Sequence, residues 1–122
     1  MYSRLLSVLL LSLIFFSCGK SLPEIEKLDL EAWRKDKNAC ENYRSKNIES
    51  IRTQKEKFLA LNESQIIELL GRPDRNELYK RNQKFFHYYL EAAKDCSNAK
   101  ENASRLIIRF NAMGLAKEVA IE

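Results

Sequence analysis

Residues 61–74 read Leu61-Asn-Glu-Ser-Gln-Ile-Ile-Glu-Leu-Leu-Gly-Arg-Pro-Asp74, and they divide the chain into a helical half and a β half. Asn62 stands as an N-cap with Gln65 three residues on, the spacing of a capping box. Ile66, Ile67, Leu69 and Leu70 supply an apolar side. Gly71 is the stop, and Pro73, which has no N–H to donate, forbids continuation. The stretch predicts a short helix over 63–70.

Beyond Pro73 the apolar period changes from about 3.6 to two. Leu78 to Arg81 reads as a short strand, Asn82-Gln83 as a tight turn and Lys84 to Glu91 as a longer strand. In that strand Phe86, Tyr88 and Leu90 share one face, and Phe85, His87 and Tyr89 the other. Residues 92–103 are a polar loop. Arg105 to Phe110 follows with Leu106, Ile108 and Phe110 inward. A hairpin connection at 111–114 leads to Leu115 to Ile121, with Leu115, Val119 and Ile121 on one face and Lys117 intruding. Short links between consecutive strands imply an antiparallel meander of three or four strands. One of its faces needs a cover, and helices are the only cover available.

Upstream, residues 30–59 hold no Gly or Pro. At about 100° per residue, Leu30, Trp33, Cys40, Tyr43, Ile48, Ile51, Phe58 and Leu59 fall on one stripe narrower than half the circumference. Asp29 is a plausible N-cap, and Asp36-Lys37-Asn38 is a point of fracture because Asp and Asn favour caps over helix interiors. The segment reads as one long helix or as a short one followed by a long one. The fold class expected is therefore α+β, with a long and a short helix on one face of an antiparallel sheet.

The start of the chain has a different character. Arg4 precedes an uncharged run, Leu5 to Phe16, which ends at Ser17-Cys18-Gly19. A positive start, a short apolar core and a small residue at the cut are the parts of a secretory signal. The run is too short for a bilayer that needs roughly 20 residues. Ser17-Cys18-Gly19 resembles the box of a bacterial lipoprotein signal, although Phe15 and Phe16 stand where Leu and a small residue are usual. The resemblance implies that residues 1–17 are removed, that Cys18 carries lipid and that 18–28 form a tether. A single domain then occupies 29–122. Gly19, where Asp would resemble an inner-membrane retention signal, points to the outer membrane, with the periplasmic side favoured over the cell surface. Removing 17 of the 122 residues leaves 105, with 20 Lys and Arg against 17 Asp and Glu, a net charge of +3. That is one modest domain with too small a bias for nucleic acid.

The short helix with its Gly-Arg-Pro-Asp turn, the Tyr-containing strand at 86–90, the run Leu106-Ile-Ile-Arg-Phe-Asn111 and Gly114 together resemble small outer-membrane lipoproteins of the SmpA/OmlA (BamE-like) group, over about residues 59–121. The chain departs from the group's pattern at Ala60-Leu61, where Gly is usual, and at Asn111, where Asp is usual. Its opening helical segment is also longer. The resemblance implies helices on a three-stranded antiparallel sheet, and a non-enzymatic role in assembly or maintenance of the outer membrane through other envelope proteins. An inhibitor or ligand-sensing module of the envelope is the alternative.

Four features are candidates for chemistry or recognition. With Cys18 assigned to lipid, Cys40 and Cys96 form an even pair in an oxidising compartment, and a disulfide is expected; two separate thiols are the alternative. Phe85, His87 and Tyr89 form an aromatic stripe that could dock a partner or be ordinary cross-strand neighbours. Arg72, Arg75, Lys80, Arg81 and Lys84 outnumber Asp74 and Glu77, which suits an acidic partner, anionic headgroups or simple protection of an edge strand. The sequons at Asn62 and Asn102 are coincidental in a bacterial chain. A lone histidine without ligand spacing gives no metal site, and no nucleophile elbow, phosphate loop or HExxH motif is present, so neither cofactor nor small-molecule substrate is expected.

Overall fold

The computed structural model describes Tyr2 and residues 21–122. The rest of the leader, the expected cut and Cys18 lie outside the described residues. Among the described residues no helix is long and apolar enough to cross a membrane.

The fold is α+β. Among residues 21–122, four α-helices, α1 (Leu30–Lys35), α2 (Tyr43–Lys46), α3 (Ile48–Gln54) and α4 (Glu63–Leu70), precede four strands, β1 (Arg75–Tyr79), β2 (Gln83–Tyr89), β3 (Arg105–Phe110) and β4 (Ala116–Ile121). The strands form one antiparallel sheet in sequence order, β1-β2-β3-β4. That is one strand more than the three implied by the lipoprotein resemblance.

Helix α4 forms as its sequence dictates. The Asn62 side chain accepts from the Gln65 N–H at 2.8 Å, and the Gln65 side chain accepts from the Asn62 N–H at 3.0 Å, closing the capping box. Gly71 stops the helix at φ 78°, and a Cβ there would also sit 3.0 Å from Arg34 Cγ. The Arg34 guanidinium donates to the carbonyls of Leu69 at 2.9 Å and Glu68 at 3.3 Å, placing a cation at the negative end of α4.

The segment from 30 to 58 is not continuous. α1 ends at Lys35 as the Asp36-Lys37-Asn38 signal implies, but the remainder is a series of short turns rather than one long helix. Asn38, Ala39 and Asn42 adopt positive φ, which reverses the chain repeatedly. The Asp36 carboxylate accepts from the Glu41 N–H at 2.7 Å and the Arg44 N–H at 2.9 Å, capping the turn it interrupts. The expected tether is also shorter than 18–28. Ile25 is buried, and Gln54 bonds both the N–H and the carbonyl of Glu26 at 2.7 Å, so packing begins four residues before Asp29.

The core lies between the helices and one sheet face. Trp33, Ile51, Phe58, Leu61, Ile66 and Leu70 meet Phe86, Tyr88, Leu90, Leu106, Ile108 and Phe110. The inward sets of β2 and β3 are those their alternation predicts. In β4 a register shift opposite Arg109 and Phe110 turns Ala116 and Val119 inward while Lys117 and Glu118 stay exposed. This bulge removes the intrusion of Lys117 and leaves Leu115 half-buried outside the strand, bridged to Asn62. The first strand begins earlier than Leu78. The hairpin turns on residues 80–82, with Arg81 and Asn82 both left-handed, rather than on Asn82-Gln83.

Candidate protein-binding surface

The sheet's second face is open, and its position depends on a polar anchor behind it. Arg44 and Asp74 form an ion pair at 2.6 Å whose side chains are only 1% and 2% exposed. Arg44 Nε donates to the Trp33 carbonyl at 3.1 Å, Nη1 donates to the Tyr89 carbonyl at 3.2 Å, and the guanidinium lies 4.6 Å from the Trp33 ring centroid. The Asp74 carboxylate accepts from the N–H groups of Asn38 and Tyr89 at 3.0 and 2.8 Å. These bonds hold the start of β1, the end of β2 and the turn after α1 at one point. Tyr88 donates to the Gly71 carbonyl at 2.8 Å, and its burial raises the phenol pKa above its ordinary value.

The disulfide between Cys40 and Cys96 is present and ties the same turn to the loop after β2. The Ala93 N–H donates to the Asn38 carbonyl beside it at 3.0 Å. At the other end of that loop, Lys100 holds Glu91 at 2.6 Å, and the Ser104 N–H donates to Glu91 at 3.0 Å. Together they bring the Glu91 carboxyl down to about 2.

On the open face β1 contributes Arg75, Glu77 and Tyr79, which pair with His87, Phe85 and Gln83 of β2. Arg109, Ile107 and Arg105 of β3 stand opposite Phe85, His87 and Tyr89. Tyr79 meets Phe85 edge-on at 5.7 Å between ring centroids, and Phe85 lies 6.5 Å from the His87 ring. They line a shallow hollow of about 240 Å³ with Glu77, Arg105 and Ile107. A second hollow, of about 380 Å³, is bordered by Tyr89, Lys94, Lys100, Arg105 and Glu122.

The stripe expected at Phe85, His87 and Tyr89 thus shares a face, but its members differ in access. Phe85 and Tyr89 are half-buried, whereas His87 is 4% exposed. His87 Nε2 donates to Glu77 at 3.1 Å and Nδ1 is buried without a partner. Burial lowers the His87 pKa below its ordinary value. The Glu77 hydrogen bond opposes this, and the charges of Arg105 and Arg75 add to it. His87 therefore stands beside Phe85, bonded to Glu77, and offers little surface itself.

The basic segment also divides. Asp74 is consumed by Arg44, and Lys84 pairs with Glu63 at 3.1 Å. Arg72, Arg75, Lys80 and Arg81 are exposed and make no ion pair among the described residues, and Glu77 is the single exposed anion beside them. Leu78 and Tyr79 are 74% and 57% exposed in the same hairpin.

Sequence periodicity passed over Arg44, set Asp36 off the apolar stripe and missed Tyr79. A signal for the first two was present: at about 100° per residue they fall roughly 40° either side of Cys40, inside the apolar stripe, where a charge demands a partner. Tyr79 had only strand alternation to mark it. Among the described residues no three His, Cys, Asp or Glu side chains converge as metal ligands. No protein family, curated protein or solved structure matches this chain. The likeness to SmpA/OmlA lipoproteins rests on the residues of 59–121 alone.

Proposed function

We propose that this chain is a bacterial lipoprotein, held to a membrane through lipid on Cys18, that works by binding another envelope protein. The observation that carries the binding reading is the open sheet face. Tyr79 and Phe85 lie in edge-on contact beside the hydrogen-bonded His87 and Glu77, and no described helix covers them. Aromatic side chains flanked by charge, here Arg75 and Arg105, are the composition of protein interfaces. The leader supports the membrane address, and the likeness to SmpA/OmlA proteins supports a role in assembly or maintenance of the outer membrane, on its periplasmic side. Lipid attachment keeps the domain close to its partner, so that moderate intrinsic affinity suffices.

Two measurements test this reading. Cys18→Ala should abolish lipid addition, seen as a loss of mass and release from membranes; a variant that stays membrane-bound at unchanged mass overturns the address. A photoreactive residue in place of Phe85, activated in intact cells, should capture an envelope protein. Substituting Phe85 and Tyr89 together by alanine should remove that partner from a detergent pull-down while the domain stays folded, and retained binding overturns the sheet-face assignment.

A further inference from the structure

We propose that β1 accepts an extended, acidic segment of the partner as a fifth strand. This rests on the binding reading above and names what the site takes. Strand order puts β1 at one end of the sheet, where an outer edge leaves alternate N–H and C=O groups without ladder partners. The opposite end is closed. The Ala60 N–H donates to Ala116 O and the Ala116 N–H to Leu61 O, both at 2.8 Å, while Lys55 Nζ donates to Val119 O at 3.2 Å. No described element lies along β1 in this way, and all five of its residues are exposed.

Exposed edges in natural proteins are blunted by short strands, charged side chains, a proline, a bulge or a cover. β1 carries charge at Arg75 and Glu77 but no proline, bulge or described cover, and it also presents Leu78 and Tyr79, large side chains that an added strand would shelter. Main-chain pairing supplies affinity in such complexes, and the alternating side chains supply choice. At about 3.4 Å per residue the five residues of β1 offer roughly 17 Å of ladder, enough for five residues of a guest.

Charge selects the guest. Arg72, Arg75, Lys80 and Arg81 surround the edge against Glu77 alone, which is already bonded to His87. Residues 1–20 contain no Asp or Glu that could neutralise them. The same four cations disfavour pairing with a second copy, which would bring like charges together. An anionic bilayer would satisfy the charges but would leave the strand edge unpaired.

The test uses the purified full-length chain and two synthetic eight-residue peptides, one alternating Glu with Val and one alternating Lys with Val, with backbone amides followed by NMR. The acidic peptide should bind at least tenfold more tightly than the basic one, and should shift and protect amides in Arg75–Tyr79 while leaving β4 unchanged. The Arg75→Glu, Lys80→Glu double variant, checked for an unchanged thermal midpoint, should lose at least tenfold in affinity for the acidic peptide. Equal binding of both peptides, a response confined to Phe85 and Ile107, or self-association that protects β1 without peptide overturns the proposal. So does binding to phosphatidylglycerol vesicles with no response to either peptide. If Phe85 captures a protein in cells but the peptides fail, strand addition falls and the binding reading stands. If a photoreactive residue captures no protein in cells, whether placed at Phe85 or at Leu78, the binding reading falls as well.

Discussion

β4 and β1 both end the same sheet, but β4 has residues 55–62 laid against it whereas β1 meets solvent on all five residues. The covered edge is backed by Phe58, Leu61 and Val119, which are buried. The uncovered edge carries Leu78 and Tyr79 in the open, with four cations around them that make no ion pair among the described residues. The part of the sheet that is packed and the part proposed for recognition therefore lie at opposite ends. The helical half and the strands it covers hold the domain together, and the hairpin projects from it. The boundary between them is Asp74, which opens the hairpin and yet is tied into the core by Arg44.

That contrast can be broken most severely at the boundary. Arg44→Ala leaves the Asp74 carboxylate buried without its cation, and also removes a side chain that bonds two backbone carbonyls and covers Trp33. A loss of about 5 kcal/mol is expected, the upper end for breaking a buried pair. Urea unfolding measures it, and a loss under about 1 kcal/mol would mean that the anchor does not hold the hairpin's root.

The disulfide comes next. Replacing Cys40 and Cys96 together by serine opens a closed loop spanning 56 positions of sequence separation. In the chain-entropy model this costs about 4 kcal/mol. Intact mass with and without reductant, followed by urea unfolding of the variant, checks both the bond and its effect.

A gentler effect is expected from pH. Burial holds the folded His87 pKa below its ordinary value, so the unfolded chain takes up a proton that the folded chain resists. Stability should be complete above roughly pH 6.5 and fall as pH drops through the His87 range. His87→Gln should flatten this dependence, and an unchanged slope would remove His87 as its cause. Glu91 adds a loss at lower pH: with its carboxyl at about 2, its contribution is present above the ordinary carboxylate range and fades as pH approaches about 2.

The smallest effect belongs to the open edge. Leu78→Lys and Tyr79→Lys should each change stability by less than about 0.5 kcal/mol, because neither side chain is buried. A loss above about 2 kcal/mol in either would show that β1 is part of the core, and the separation would fail.

Residues 61–74 were legible because every cue there is local. A cap, a capping-box partner, an apolar side, a positive-φ glycine and a proline stop act within one or two turns. Strand alternation likewise predicted the inward sets of β2 and β3. The same reasoning overstated the helix at 30–58, since Asn38 and Asn42 take up left-handed geometry only when Asp36, Arg44 and the disulfide reward the bend. Of the candidate surface, the pairing of Phe85 with the His87 face could be read from alternation. The burial of His87 could not, because it depends on its neighbours across the sheet, Arg75 in β1 and Ile107 in β3, and on Glu77.

The chain's own residues determine its α+β class, the short capped helix and the meander, because backbone sterics, hydrogen-bond capping and two-residue alternation are interactions between near neighbours. Tertiary structure alone decides that Asp74 is an internal counter-ion rather than part of a surface patch, and that one sheet edge is sealed while no described element lies along the other. Those outcomes depend on contacts between residues 30 or more positions apart, where the sequence shows the partners but not which of them will meet.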